Sequence, residues 1–156
     1  MLTIVLYFLI GFATGLRSLT PLAVTCWAAH LGWLQFAPSQ LAFIGKWPTV
    51  TIITLLAAAE LIVDKLPQTP ARTKAVGLTA RMILGSMCAV LISVGSSGHM
   101  VLATVGGFFG AITGTFAGYH TRHFLVLRAH LSDLIVALTE DVIAIAGSLL
   151  IISHSR

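Results

Sequence analysis

The chain has 156 residues, of which 57% are hydrophobic and 9% are charged, and its formal net charge is +4. Soluble domains carry about 25% charged residues, so this composition excludes an ordinary soluble protein and indicates a single integral membrane domain. The positive excess is typical of a membrane topology signal and of contact with anionic lipids, and no basic groove for nucleic acid is present.

Apolar segments predict about five membrane spans, since a spanning helix needs about 20 apolar residues. The first covers residues 2–30 and is interrupted by glycine, Arg17 and Pro21, so that it either crosses or re-enters. Residues 31–47 contain tryptophan and lysine, which favour the headgroup level, and they predict a short interfacial helix. The other predicted spans cover residues 48–66, 76–94, 99–120 and 131–152. The expected fold is an all-α, polytopic transmembrane helix bundle.

Lysine and arginine are concentrated on one side of these spans. Most of them lie in or near the segments after the second and fourth spans, namely Lys65, Arg72, Lys74, Arg81, Arg122 and Arg128. Lys46 and Arg156 fall on the other side. Because basic loops remain in the cytoplasm, the sequence predicts a cytoplasmic N-terminus and an external C-terminus.

A short glycine pattern occurs twice. The first copy reads Gly-x-x-x-Gly-x-Arg at 11–17, the second reads Gly-x-x-x-Gly-x-His at 114–120, and each precedes an acidic span. An odd number of crossings between the copies predicts an inverted-topology repeat, which is typical of transporters with a site at the repeat interface. The predicted repeats are residues 1–67 and 99–152, joined by the span 76–94.

Glycines also recur every four residues in the fourth span, at Gly106, Gly110, Gly114 and Gly118. Such a ridge of small residues predicts a close helix–helix contact, either within one protomer or across a dimer. A chain with five helices has little interior of its own. We therefore expect a homodimer or a larger homo-oligomer in contact with membrane lipids.

Four of the five acidic residues lie inside or at the ends of two predicted spans. Glu60 and Asp64 belong to residues 48–66, and Glu140 and Asp141 belong to residues 131–152. A carboxylate in hydrocarbon costs about 2.5–3.5 kcal/mol on insertion scales, so such residues indicate a functional site by default. The alternative is that they only join helices by pairing with Arg17, Arg81 or Arg122.

The spacing of these acids limits what each can reach. Glu60 and Asp64 are four residues apart and share one helix face at about 6 Å. Glu140 and Asp141 are adjacent, so they point about 100° apart. Arg17 is the basic residue deep in the first half of the chain, and we expect it to form a salt bridge with at least one of these four acids.

Four further residues are expected to support this site, namely Lys65, Arg81, His120 and Arg122. Lys65 adjoins Asp64 and has a stem long enough to reach water. His120 and His123 are three residues apart, a spacing compatible with metal ligation or proton relay, although a position at the membrane interface is favoured.

No enzyme motif is found, since the metalloprotease HExxH, the GxSxG elbow and the P-loop are all missing from the sequence. Cys26 and Cys88 lie in apolar surroundings without CxxC spacing and are interpreted as core residues. We therefore expect neither enzyme activity nor a cofactor or metal. Two functions remain: a small transporter or channel with a carboxylate site for a cation or proton, or a non-transporting scaffold or lipid-binding protein.

The residues at these positions also resemble a known family. The run Gly-Leu-Arg-Ser-Leu-Thr-Pro-Leu at 15–22, the run Glu-Leu-Ile-Val-Asp-Lys-Leu-Pro at 60–67, Arg81 and the Glu-Asp pair at 140–141 are similar to an uncharacterised bacterial membrane family, domain of unknown function 4126. Residues 68–72 depart from it, since the family usually carries aspartate and tryptophan there. The resemblance implies a multi-pass protein of the bacterial inner membrane and these site residues, without a substrate.

Overall fold

The computed structural model describes residues 2–36, 40–64, 74–128 and 132–155. Within them the chain forms six α-helices and one 3₁₀ helix, and it contains no strand, which confirms the predicted all-α class. In chain order these are α1 (Leu2–Leu16), α2 (Thr20–His30), the 3₁₀ helix (Gln40–Gly45), α3 (Trp47–Val63), α4 (Ala75–Gly95), α5 (Met100–Leu127) and α6 (Asp133–Ser153).

Three of these helices, α4, α5 and α6, are long and apolar enough to cross a membrane. They have 21, 28 and 21 residues, whereas the apolar helices α1 and α3 have 15 and 17. The membrane character expected from composition is therefore confirmed. The predicted count of five spans is not confirmed, because the first predicted span, residues 2–30, is divided into α1 and α2.

Helices α1 and α2 form a hairpin. Tyr7 in α1 lies against Gly98, in the turn between α4 and α5, and Leu34, which follows α2, lies against Gly95 at the end of α4. Both open ends of the hairpin are therefore at the end of the bundle where α4 turns into α5, here called the turn end. The chain between α1 and α2, residues 17–19, is the hairpin tip. It points towards the opposite end of the bundle, which carries Lys74, Arg122 and Arg128 and is here called the basic end.

The two described ends of the chain lie at the same end of the bundle. Helix α6 begins beside Arg122 near the end of α5, as the Arg122–Asp133 salt bridge shows, and then runs back along the bundle. Its last residues, Ile151 and Ile152, join the buried cluster that contains Leu6 and Tyr7 of α1. The sequence predicted termini on opposite sides of the membrane. The structure does not fit that prediction, because residues 2–30 run to the basic end as α1 and return to the turn end as α2, where a single crossing was expected.

Glycines hold α1 against α5 in a parallel arrangement. A Cβ added at Gly110 would collide with the carbonyl oxygen of Phe8, and one added at Gly114 would collide with that of Phe12. Gly11 and Gly15 meet the backbone of α5 in the same way, at Gly107 and Ala111. The predicted glycine ridge therefore forms a contact within one protomer, where small residues let two backbones approach closely.

This parallel packing bears on the predicted inverted repeat. That repeat required α1 and α5 to run in opposite directions, yet residue numbers increase together along their contact, from Tyr7 beside Gly106 to Gly15 beside Thr115. The inverted repeat is therefore not confirmed. Its two glycine patterns are alike because both belong to this one close interface, where each helix needs small residues.

Candidate functional site

The hairpin tip leaves the start of α2 in need of a hydrogen-bond acceptor. The first N–H groups of a helix have no partner within the helix, and Leu19, at the N-cap position, has no side-chain oxygen to accept from them. Pro21 in the first turn is well suited to this place, because it lacks an N–H and its fixed φ matches the helix. The remaining N–H groups at the tip must be satisfied from outside α1 and α2.

Glu60 of α3 supplies that acceptor. Its Oε1 accepts the N–H of Ser18 at 2.7 Å, and its Oε2 accepts the N–H of Leu19 at 2.8 Å. A negative charge at a helix N-terminus is also stabilised by the helix dipole. Glu60 therefore fastens the hairpin tip to α3 through backbone N–H groups, and the sequence alone gave no sign of this partner.

Arg17 joins the tip to two other helices. Its side chain is 0% exposed. Nη1 donates to Oδ2 of Asp64 at the end of α3, and Nη2 lies 2.6 Å from Oδ1 of Asp141 in α6. Nη2 also donates to the carbonyl oxygen of Ala137 at 3.5 Å. The predicted salt bridge between Arg17 and at least one of the four acids is thereby confirmed.

The adjacent acids of α6 face different arginines. Both are buried, with Glu140 at 8% and Asp141 at 6% exposure. Asp141 pairs with Arg17, whereas Oε2 of Glu140 lies 3.9 Å from Nη1 of Arg122 in α5. Successive helical residues diverge by about 100°, so one turn of α6 reaches both α1 and α5.

Asp133 extends this arrangement and was missed as a site residue. Arg122 Nε donates to its Oδ1 at 2.8 Å, and Nη2 donates to its Oδ2 at 2.6 Å. The fork geometry is the strongest that arginine and a carboxylate can form. The sequence did contain a signal for it. Asp133 is the fifth acidic residue of the chain, and it lies 11 residues after Arg122, across the connection between two helices. These seven residues form the charged cluster: Arg17, Glu60, Asp64, Arg122, Asp133, Glu140 and Asp141.

The other predicted supporting residues are Arg81, His120 and Lys65. Arg81 is 5% exposed on α4, one turn before Gly85, which packs against Gly107 of α5. His120 is exposed and lines a surface pocket near the end of α5. Lys65 lies outside the described residues.

The charged cluster concentrates carboxylate groups at the basic end of the bundle. It contains all five carboxylates of the chain. Four of them, on Glu60, Asp64, Glu140 and Asp141, are buried or half-buried, and that of Asp133 is exposed. No group of three or more His, Cys, Asp and Glu side chains in that part of the chain is arranged to hold a metal ion. Oxygen atoms and negative charge are thus concentrated around the hairpin tip.

Comparison with known proteins gives a family and no activity. No curated protein and no solved structure matches the chain. A family model described as "Domain of unknown function (DUF4126)" matches residues 4–155. Because this match covers nearly the whole sequence, the chain belongs to the DUF4126 family.

Proposed function

We propose that the protein is a small membrane transporter or channel that moves a proton or a small cation past the charged cluster. The observation that carries this proposal is the position of the hairpin tip, which ends among buried carboxylates inside the bundle. Irregular backbone is tolerated at membrane depth only where protein buries it or where it lines a cavity. Transporters commonly place interrupted helices of this kind at their ion sites.

The burial of the acids supports a positively charged cargo. Four carboxylates of the charged cluster, on Glu60, Asp64, Glu140 and Asp141, are buried or half-buried. Keeping a carboxylate charged away from bulk water is costly, and binding a proton or a cation reduces that cost. Glu60 is half-buried as well, and the side chains of Asp64 and Glu140 are 12% and 10% exposed, so these acids keep some contact with the surface.

Hydroxyl groups offer a partial route from the tip to the turn end. Thr20, Ser93 and Tyr7 are buried, and their hydroxyls make no hydrogen bond within the described residues. Thr20 begins α2 at the tip, while the Tyr7 and Ser93 hydroxyls both lie against Gly98 at the turn end. Buried polar groups are usually satisfied by protein or by water, so these positions favour hydration in a conducting state.

The basic end is proposed to face the cytoplasm. Lys74, Arg122 and Arg128 lie there, and the segment 65–73, outside the described residues, carries Lys65 and Arg72 in the sequence. The positive-inside rule places such an end in the cytoplasm. Both termini then face outward, which reverses the N-terminal orientation expected from five simple crossings.

A bacterial inner-membrane location and a homodimer are proposed as well. The location rests on the family resemblance. The glycine ridge does not support the dimer, because it already packs α5 against α1 within one protomer. The proposal of a dimer therefore rests on the small size of the bundle. Many large apolar side chains on α3, α5 and α6 are exposed, as expected for surfaces that contact lipid or a second copy.

The second candidate is a non-transporting scaffold. The complete burial of Arg17 and its pairing with two acids favour this function. A salt bridge that water does not reach fixes the positions of helices without exchanging an ion. Buried charged groups in other proteins are known to specify one packing arrangement at some cost in stability.

Ion flux in proteoliposomes separates the two functions. Wild-type protein, Glu140→Gln and Asp64→Asn are compared with Thr139→Ala for H⁺, Na⁺ and K⁺ fluxes. Thr139 is exposed and adjoins Glu140, and its hydroxyl donates to the carbonyl of Ile135 in its own helix, so it is a matched control. The proposal expects flux in wild type and Thr139→Ala that falls at least tenfold in the acid variants. No flux above empty liposomes would refute transport, and equal flux in all four proteins would refute the charged cluster as the ion site.

A further inference from the structure

The end of α5 extends past the first residue of α4 at the basic end. A Cβ added at Gly85 of α4 would lie 2.8 Å from the Cβ of Ala111, which fixes the register of these antiparallel helices. Helix α4 begins at Ala75, ten residues before Gly85, so its first residue lies beside residue 121 of α5. The last six residues of α5 therefore extend about 9 Å beyond α4.

Helix length places this extension at the level of the lipid headgroups. The 28 residues of α5 span about 42 Å, whereas a hydrocarbon core is about 30 Å thick. Helix α5 starts directly after the short turn that ends α4, so its excess length emerges at the basic end. This end of α5 must therefore cross the boundary between hydrocarbon and water.

One face of the extension forms a pocket of about 420 Å³. Its lining is His120, His123, Phe124, Leu127 and Arg128, which follow the i, i+3, i+4 spacing of a single helix face. All five side chains are exposed. The pocket thus combines cationic or hydrogen-bonding groups with two large apolar side chains.

Aromatic contacts organise this face. The Arg128 guanidinium lies 6.0 Å from the centroid of the Phe124 ring, and His123 stacks on Tyr119 with ring centroids 6.0 Å apart. Arg122, on another face of the same turn, is held by Asp133. The pocket lining itself, as described, contains no carboxylate. Its polar groups therefore favour an anion from outside the chain.

We infer that this face binds an anionic phospholipid, which we call the α5 lipid site. The phosphate of the headgroup accepts hydrogen bonds from Arg128 and the two histidines, and an acyl chain lies along Phe124 and Leu127. Arginine is suited to phosphate because its planar fork donates two bonds at once. Charge complementarity selects an anionic lipid, and the apolar half of the pocket selects a lipid over a free anion. The site does not depend on transport.

The test measures lipid binding by the purified full-length protein in neutral detergent. Fluorescently labelled protein is titrated with phosphatidylglycerol, with phosphatidylcholine of the same acyl chains and, separately, with inorganic phosphate. Arg128→Gln is compared with Lys46→Gln, which removes the same charge from an exposed residue at the turn end.

We expect phosphatidylglycerol to bind more tightly than phosphatidylcholine, and Arg128→Gln to weaken it by about fivefold, as for one basic residue near an anionic surface. Lys46→Gln should change it less than twofold, and Phe124→Ser should weaken both lipids. Equal affinity for the two lipids would overturn the inference, as would equal losses in Arg128→Gln and Lys46→Gln. Inorganic phosphate competing as strongly as the lipid would show an anion site without lipid specificity and would also overturn it.

Discussion

The hairpin of α1 and α2 is held in two contrasting ways. Along its side, Gly11 and Gly15 meet the backbone of α5 in close contact, joined by one long hydrogen bond of 3.4 Å from the Thr115 hydroxyl to the carbonyl of Gly15. At its tip, Arg17 and the N–H groups of Ser18 and Leu19 bind carboxylates from α3 and α6. Close packing allows little movement, whereas charge pairs can change with protonation or ion binding. The side is therefore suited to fix the hairpin, and the tip is suited to respond to a ligand.

The largest expected effect is at the tip, for Arg17→Ala. This substitution removes the guanidinium that Asp64 and Asp141 share, and removing one partner of a buried charge pair typically costs about 3–5 kcal/mol. Folded yield and thermal unfolding in detergent are the measurements, with Arg128→Ala as the exposed arginine control. Combining Arg17→Ala with Asp141→Asn should restore part of the loss. If the single variant is as stable as wild type, the ion pairs do not hold the hairpin.

The next largest effect is on the side of the hairpin, for Gly114→Ala. The added Cβ would collide with the carbonyl oxygen of Phe12, and overpacking of this kind costs about 1–3 kcal/mol. Gly147→Ala is the matched control, because a Cβ there has nothing within 4 Å. Thermal unfolding should separate the two variants clearly. Equal melting temperatures would contradict the close α1–α5 interface.

A smaller effect is expected for the cap at the tip, in Glu60→Ala. Loss of a helix N-cap acceptor costs about 0.5–2 kcal/mol, and Glu60→Gln should cost less because its one carbonyl oxygen still accepts a hydrogen bond. Hydrogen exchange at the N–H groups of Ser18 and Leu19 measures the change directly. Unchanged protection in Glu60→Ala would show that these groups have another acceptor.

The smallest effect is expected at the exposed margin of the charged cluster, for Asp133→Asn. Its side chain is 54% exposed, and exposed ion pairs contribute about 0.2–1 kcal/mol. The difference from wild type in thermal unfolding should shrink further in 1 M salt, since salt screens surface charges. A loss as large as that of Arg17→Ala would mean that the Arg122–Asp133 pair belongs to the buried part of the cluster.

Residue type and hydrophobicity were sufficient to predict the all-α class, the membrane character and the pairing of Arg17 with an acid. Each follows from a cost that is large wherever the residue lies: an apolar surface in water, or an unpaired arginine in hydrocarbon. The choice of Asp64 and Asp141 as partners was beyond the sequence. Four acids were compatible with the same rule, and the positions of α3 and α6 beside the hairpin tip select two of them.

The recurrence of small residues on two helices and the presence of acids within apolar segments can both be read directly from the chain. The roles of these patterns follow only from the way the helices pack. The repeated glycines pack against each other in parallel, and Glu60 binds backbone N–H groups at a break between two helices. The physical reason is that close backbone contact and capping both depend on the relative direction and depth of helices. Those quantities are set by the packing of the whole bundle and leave no local signal in the chain.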